Sequence, residues 1–245
     1  MKLFKLVEKD YTTYNKSMTW EIGRTNSVPK TVNPQLCSSD VIHCYKNLNL
    51  GLLLNPIHAN IKNPIILECT GEIVVEDYGK QGVFQLTPIK EIRTPAWVKN
   101  NNVRVLFAIF CAESVLDLFE KKYPNDDRPR KAIEATKEYL KNPIEKNAAH
   151  AAAYAYAAYA HAAAHAAYDA HTAHAADVYA AAAYAAHAVA HAADAGDAHA
   201  GDAHAAAAYA HAAAYAYAAY NTYKEIDFNV LANRAVDFYK KKVKK

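Results

Sequence analysis

Apolar and polar positions alternate in four stretches of the first 95 residues, and the period then lengthens to that of a helix. Lys2–Val7, Asp40–Tyr45, Ile65–Glu76 and Val83–Ile92 carry the alternation or the β-branched density of strands, with turns predicted at Gly71, Gly79 and Gly82. Leu48–Leu54 is a dense apolar run whose end Asn55-Pro56 marks, which predicts one or two turns of buried helix. After Ala96, Val103, Leu106, Phe107, Phe110, Cys111, Ser114, Val115, Leu118 and Phe119 recur on one helical face, enough for roughly five turns. Pro124 stops that run. Asn125, Asp126 and Asp127 then offer cap residues and Pro129 a first-turn proline, opening a helix over Arg130–Leu140 that Pro143 closes. A last amphipathic helix is predicted over Tyr223–Tyr239, with Lys240–Lys245 as a solvated basic tail. The pattern describes an α+β protein: a small α+β domain over 1–95 and a helical domain over 96–245.

Composition divides the second part again. Residues 148–220 hold 43 Ala, 10 His, 10 Tyr and 5 Asp, with no Lys, Arg, Glu, Pro or Leu. The tract carries formal charge −5 in a chain of net +3, so the remainder stands at +8. Alanine has the highest helix propensity, so helix is expected here, broken near Gly196 and Gly201 and again near Asp169–Asp177. Eleven letters, AHAAAYAYAAY, occur at Ala149–Tyr159 and return at Ala210–Tyr220. An eleven-residue unit is three turns, which brings equivalent side chains back to nearly one face. Alanine flanks let helices approach closely, and tyrosines supply the bulk at the seams. Tyr154, Tyr156, Tyr159, Tyr168, Tyr215 and Tyr217 are therefore the predicted anchors for a protein partner, together with the charged corner Asp127, Arg128 and Arg130.

Candidate chemistry is sparse. The chain has no P-loop, GxGxxG, GxSxG or HExxH signature. His161/His165 and His187/His191 have the i, i+4 spacing that can present two imidazoles to a metal, but neither Glu nor Cys accompanies them. Polar letters that keep an alanine helix soluble explain them better, and no metal or other cofactor is expected. Cys37, His43 and Cys44 include a six-residue gap unusual for zinc ligands. His43 and His58 lie in apolar neighbourhoods, where a hydrogen-bonded core histidine outweighs a base in a cleft. Four cysteines without a CxxC pair point to reduced thiols, and MKLFKLVEKD lacks the pattern of a secretory signal, which together predict a cytoplasmic protein. No membrane span is predicted, and scattered lysines without interleaved aromatics argue against a nucleic-acid partner.

Arg104, Phe107-Ala108-Ile109-Phe110-Cys111-Ala112-Glu113, Leu116, Phe119-Glu120 and the run from Asp127 to Ala135 resemble the opening of the immunity-protein family of bacterial polymorphic toxin systems. In that family such a block precedes Ala-rich helices, and Tyr184, His187, Val189 and His191 are similar to that part. Leu53–Asn60 resembles a domain at the front of uncharacterised phage and prophage proteins. The resemblance implies an all-α binding protein, a toxin or host protein as partner, and no catalytic residues. The alternatives are an enzyme of nucleotide- or ADP-ribose-transfer type in residues 1–95, using His43 or His58, and a phage assembly component acting as a homo-oligomer. Full protonation of the ten tract histidines moves that segment from −5 to +5. The melting temperature is thus expected to fall between about pH 7.5 and about pH 5, and to fall less in a chain lacking 148–220.

Overall fold

The computed structural model describes residues 1–142, apart from Tyr14, Tyr78, Tyr123 and Asp126, and residues 227–243. The tyrosines and histidines of the alanine tract lie outside the described residues. The chain forms two compact units, Met1–Lys99 and Asn100–Lys245, and its class is α+β. Among the described residues no helix is long and apolar enough to cross a membrane.

The first unit contains strands β1 (Lys2–Val7), β2 (Thr12–Thr13), β3 (Met18–Thr19), β4 (Asn26–Ser27), β5 (Ile42–Cys44), β6 (Ile65–Glu76) and β7 (Gln81–Ile92), with helix α1 (Leu48–His58) between β5 and β6. Every pairing is antiparallel. The hairpin β6–β7 is central, β1 lies on the free edge of β6, and β4 and β5 share the far edge of β7. Tyr45, just past β5, then exchanges both backbone hydrogen bonds with Phe4 of β1, at 2.8 and 2.9 Å. Hydrogen bonding therefore runs β1–β6–β7–β5 and back to β1, so these strands leave few unpaired edges. Leu3, Val7, Trp20, Ile42, Cys44, Leu67, Cys69, Val83 and Leu86 fill the enclosed core.

Two expectations are corrected here. Gly71 and Gly82 are not turns but strand residues where another chain segment comes close. A Cβ on Gly71 would meet the Gln85 carbonyl oxygen at 2.8 Å, and one on Gly82 would meet Val41 at 2.6 Å. The run at Leu48 does not stop at Asn55-Pro56 but continues to His58. Asn47 caps its start by accepting the Leu50 amide at 3.1 Å. Its end is held by Asn55, whose carbonyl accepts the amides of Ala59 and Asn60 while its side chain bonds both backbone groups of Ile61. This closure lies beyond Pro56, which explains why the proline does not mark the helix boundary. Leu50, Leu52, Leu53 and Leu54 are all buried, so α1 has no solvent face at its centre.

The second unit contains α2 (Asn101–Lys122), α3 (Arg128–Lys141) and α4 (Phe228–Val243). The predicted face Val103–Phe110 is buried, and Ile133 and Thr136 are buried on α3. The last helix starts later and runs further than its predicted bounds. Asp227 accepts the amides of Asn229 and Val230 at 2.8 and 3.2 Å, and Lys240–Lys242 occupy the final turn instead of a free tail. Their charge complements the negative end of the helix, and Lys242 donates to the last-turn carbonyl of Leu140 on α3. Phe228, Ala232, Ala235 and Val236 form the buried stripe of α4.

Replacing Gly82 by Ala pushes a methyl group against Val41 and Val75, two packed side chains. Overpacking of this kind costs about 1–3 kcal/mol. Gly82→Ala is therefore expected to lower the denaturant midpoint of the first unit, read by Trp20 fluorescence.

Candidate functional site

Strand alternation, the closing bridge and the β6–β7 turn bring several titratable groups together. His43 and Cys44 are neighbours on β5, so their side chains take opposite faces. Cys44 enters the core, where burial pushes its thiol up to about 12. His43 stays on the other side. Its Nε2 accepts the backbone N–H of Cys37 at 3.0 Å, which assigns the ring proton to Nδ1 and favours the neutral imidazole. Cys37 holds a left-handed backbone, φ +62°. Its thiol is exposed, and Lys80 Nζ donates to Sγ at 2.7 Å.

Lys80 follows a turn built by Asp77. The Asp77 carboxylate accepts the amides of Gly79 and Lys80, both at 2.8 Å, and its own amide donates to the Lys80 carbonyl. Gly79 is needed at this turn because a Cβ there would strike Leu54 at 2.8 Å and the His58 ring at 3.2 Å. The His58 ring stacks on Tyr45 with centroids 5.9 Å apart, and its Nδ1 lies 3.3 Å from the Tyr45 hydroxyl.

Both imidazoles are held at about 4, well below the ordinary histidine value. Burial is the main cause for each, and the Lys80 charge adds to it, while Asp77 works in the opposite direction. His43 further lowers His58, so the two rings oppose each other's protonation. Lys5, on β1, donates to the His43 carbonyl at 2.8 Å and lies 5.3 Å from the Trp20 ring centre. Burial lowers its amine to about 8. The corner thus contains two neutral imidazoles, a phenol, a thiol and two amines, with Asp77 as the acid that acts on both rings.

The two histidines singled out by sequence do meet in this corner. The zinc reading does not survive: Cys44 points into the core, away from Cys37 and His43, and among the described residues no three His, Cys, Asp or Glu side chains form a metal-binding group. His161, His165, His187 and His191 lie outside the described residues, as do the tract tyrosines Tyr154, Tyr156, Tyr159, Tyr168, Tyr215 and Tyr217. In the second unit, Arg130 makes a bidentate pair with Glu120 at 2.6 and 2.5 Å, and Asp127 pairs with Lys131 at 2.8 Å. Asp127 precedes α3 without using its side chain as a cap. Backbone placement puts Arg128 at the first position of α3, and its side chain is not among those described.

Sequence reasoning missed Lys80, Tyr45 and Asp77. The Asp77-to-Lys80 turn letters were the available signal, but nothing local says that this turn faces α1.

Each histidine has a folded value near 4 against an ordinary 6.5. Their neutral forms favour folding fully above about pH 6.5, and that stability is lost as pH falls from 6.5 toward 4. The variant H43Q/H58Q is expected to show a flatter stability profile across that window in chemical denaturation. No protein family, no curated protein and no solved structure matches the chain.

Proposed function

We propose that the chain is a non-enzymatic, cytoplasmic binding protein of the immunity type, which covers the working surface of a toxin or host protein by steric occlusion. The observation that carries this reading is an aromatic and guanidinium cluster on α4. Phe238 is 51 % exposed, meets Phe110 edge-on with ring centres 6.4 Å apart, and shares that ring with Arg234, whose guanidinium carbon lies 3.9 Å from its centre. Val230, 57 % exposed, stands one helical repeat before Arg234. The three residues recur every four positions and share one side of α4, at the border of its buried stripe, where Arg234 and Phe238 meet Phe110. Aromatic and arginine side chains held in place beforehand are the residues that dominate binding energy at protein interfaces. In the first unit, by contrast, the acid–base groups are tied to one another: His43 Nε2 already holds an amide, and His58 faces Tyr45.

A second reading, an enzyme of nucleotide- or ADP-ribose-transfer type in residues 1–95, is favoured by the meeting of His43 and His58. Both imidazoles are neutral at pH 7, the form that a general base needs, although burial makes them weak bases. Affinity capture from the native host separates the two readings when the captured partner is then titrated with purified chain. Under the binding reading, a stoichiometric partner loses its activity on titration, Phe238→Ser with Arg234→Ala weakens the complex tenfold or more, and H43Q/H58Q leaves it intact. Loss of partner binding only in H43Q/H58Q, or nucleotide turnover that this variant abolishes, overturns the binding reading in favour of the enzyme.

A further inference from the structure

The Cys37–Lys80 contact is closer than an ordinary polar contact to sulfur. An N–H···O hydrogen bond has its atoms about 2.9 Å apart, and sulfur is larger than oxygen, yet Nζ and Sγ here are separated by 2.7 Å. A single oxygen atom bonded to both spans that separation. We propose that Cys37 and Lys80 are a covalent modification site: on exposure to a peroxide they form an oxygen-bridged crosslink, Sγ–O–Nζ.

The burial of Lys80 supplies an independent argument. The residue is 9 % exposed, and among the described residues its ammonium forms no ion pair. Sulfur is a weak acceptor, so a buried ammonium facing a thiol is poorly compensated. The bridged nitrogen is uncharged, which removes that cost. Access completes the case. Cys37 is exposed to an oxidant, whereas Cys44, Cys69 and Cys111 are buried, and burial pushes the thiols of Cys44 and Cys69 up to about 12.

The chemistry balances with two peroxide molecules. The Cys37 sulfur takes one oxygen from the first as its O–O bond breaks, giving a sulfenic acid and water. The Lys80 ammonium releases one proton to solvent, and the free amine takes one oxygen from the second peroxide in the same way, giving a hydroxylamine and water. Condensation then breaks the S–OH bond, joins sulfur to the hydroxylamine oxygen and releases a third water. Sulfur and nitrogen are each oxidised by two electrons, and both peroxides are reduced to water. The product fastens the segment between β4 and β5 to the β6–β7 turn, beside His43 and His58. It also removes the Lys80 charge that opposes protonation of both rings.

The test is peptide mass mapping of the full chain after hydrogen peroxide treatment. The expected product is one species joining the Cys37 and Lys80 peptides, heavier than their sum by one oxygen and lighter by two hydrogens. Cys37→Ser, a substitution at an exposed thiol, and Lys80→Arg each abolish it, a dithiol reductant separates the peptides, and chain unfolded before oxidation does not form it. Sulfenic or sulfinic acid at Cys37 with Lys80 unlinked overturns the proposal. So does a linked pair without the added oxygen, or equal yield from the unfolded chain.

Discussion

Two backbone hydrogen bonds between Phe4 and Tyr45 close the sheet of the first unit, and the rest of that unit depends on the closure. Without them β1 and β5 would be free edges, and the core residues of both strands would have one open side. With them, Tyr45 is fixed against β1 and its ring can serve as a wall. Gly51 of α1 packs on that ring so closely that a Cβ there would lie 2.7 Å from it, and His58 stacks on it from the end of the same helix. One bridge therefore fixes the strand ring, the position of α1 and the site of one imidazole.

Burial near this closure keeps two titratable groups of the first unit, His43 and His58, neutral. A small closed sheet has little interior, and residues at its rim lose water without gaining many partners. The imidazoles respond by staying unprotonated, which costs little because their ordinary value is already near neutrality. Lys80 takes a different arrangement: its amine donates to a sulfur atom. Lys5 shows the alternative: its amine donates to a carbonyl and lies over an aromatic ring, while burial lowers it only to about 8.

How much of this could be read from sequence follows the range of the interactions. The spans of β1 and β6 are read to the residue because alternation and β-branching are local. The two-residue strands β2, β3 and β4 carry no periodicity long enough to see. Helix α1 outruns its proline because Asn55 closes the helix through Ile61, a tertiary contact of the following loop. His43 and His58 stand out as single residues in apolar surroundings, but Lys80 lies more than twenty residues beyond His58. Cys37 meets Lys80 across 43 residues, which no spacing rule covers.

The second unit uses a different economy of side chains. α4 buries two alanines, at positions 232 and 235, between Phe228 and Val236, and small side chains there permit close approach of its neighbours, while Val230 and Phe238 stay exposed. Close approach gains dispersion contacts that the small apolar area of alanine does not supply by transfer alone. Phe228 at one end, Tyr239 bonded to Asn100 at the other, and Lys242 on Leu140 then fix the helix along its length. Phe238 and Arg234 are thus not stray surface residues but are held by the same Phe110 ring that α2 buries. A partner that covers them meets side chains whose rotamer freedom is already reduced, which is the condition under which an exposed aromatic gives the most binding energy per contact.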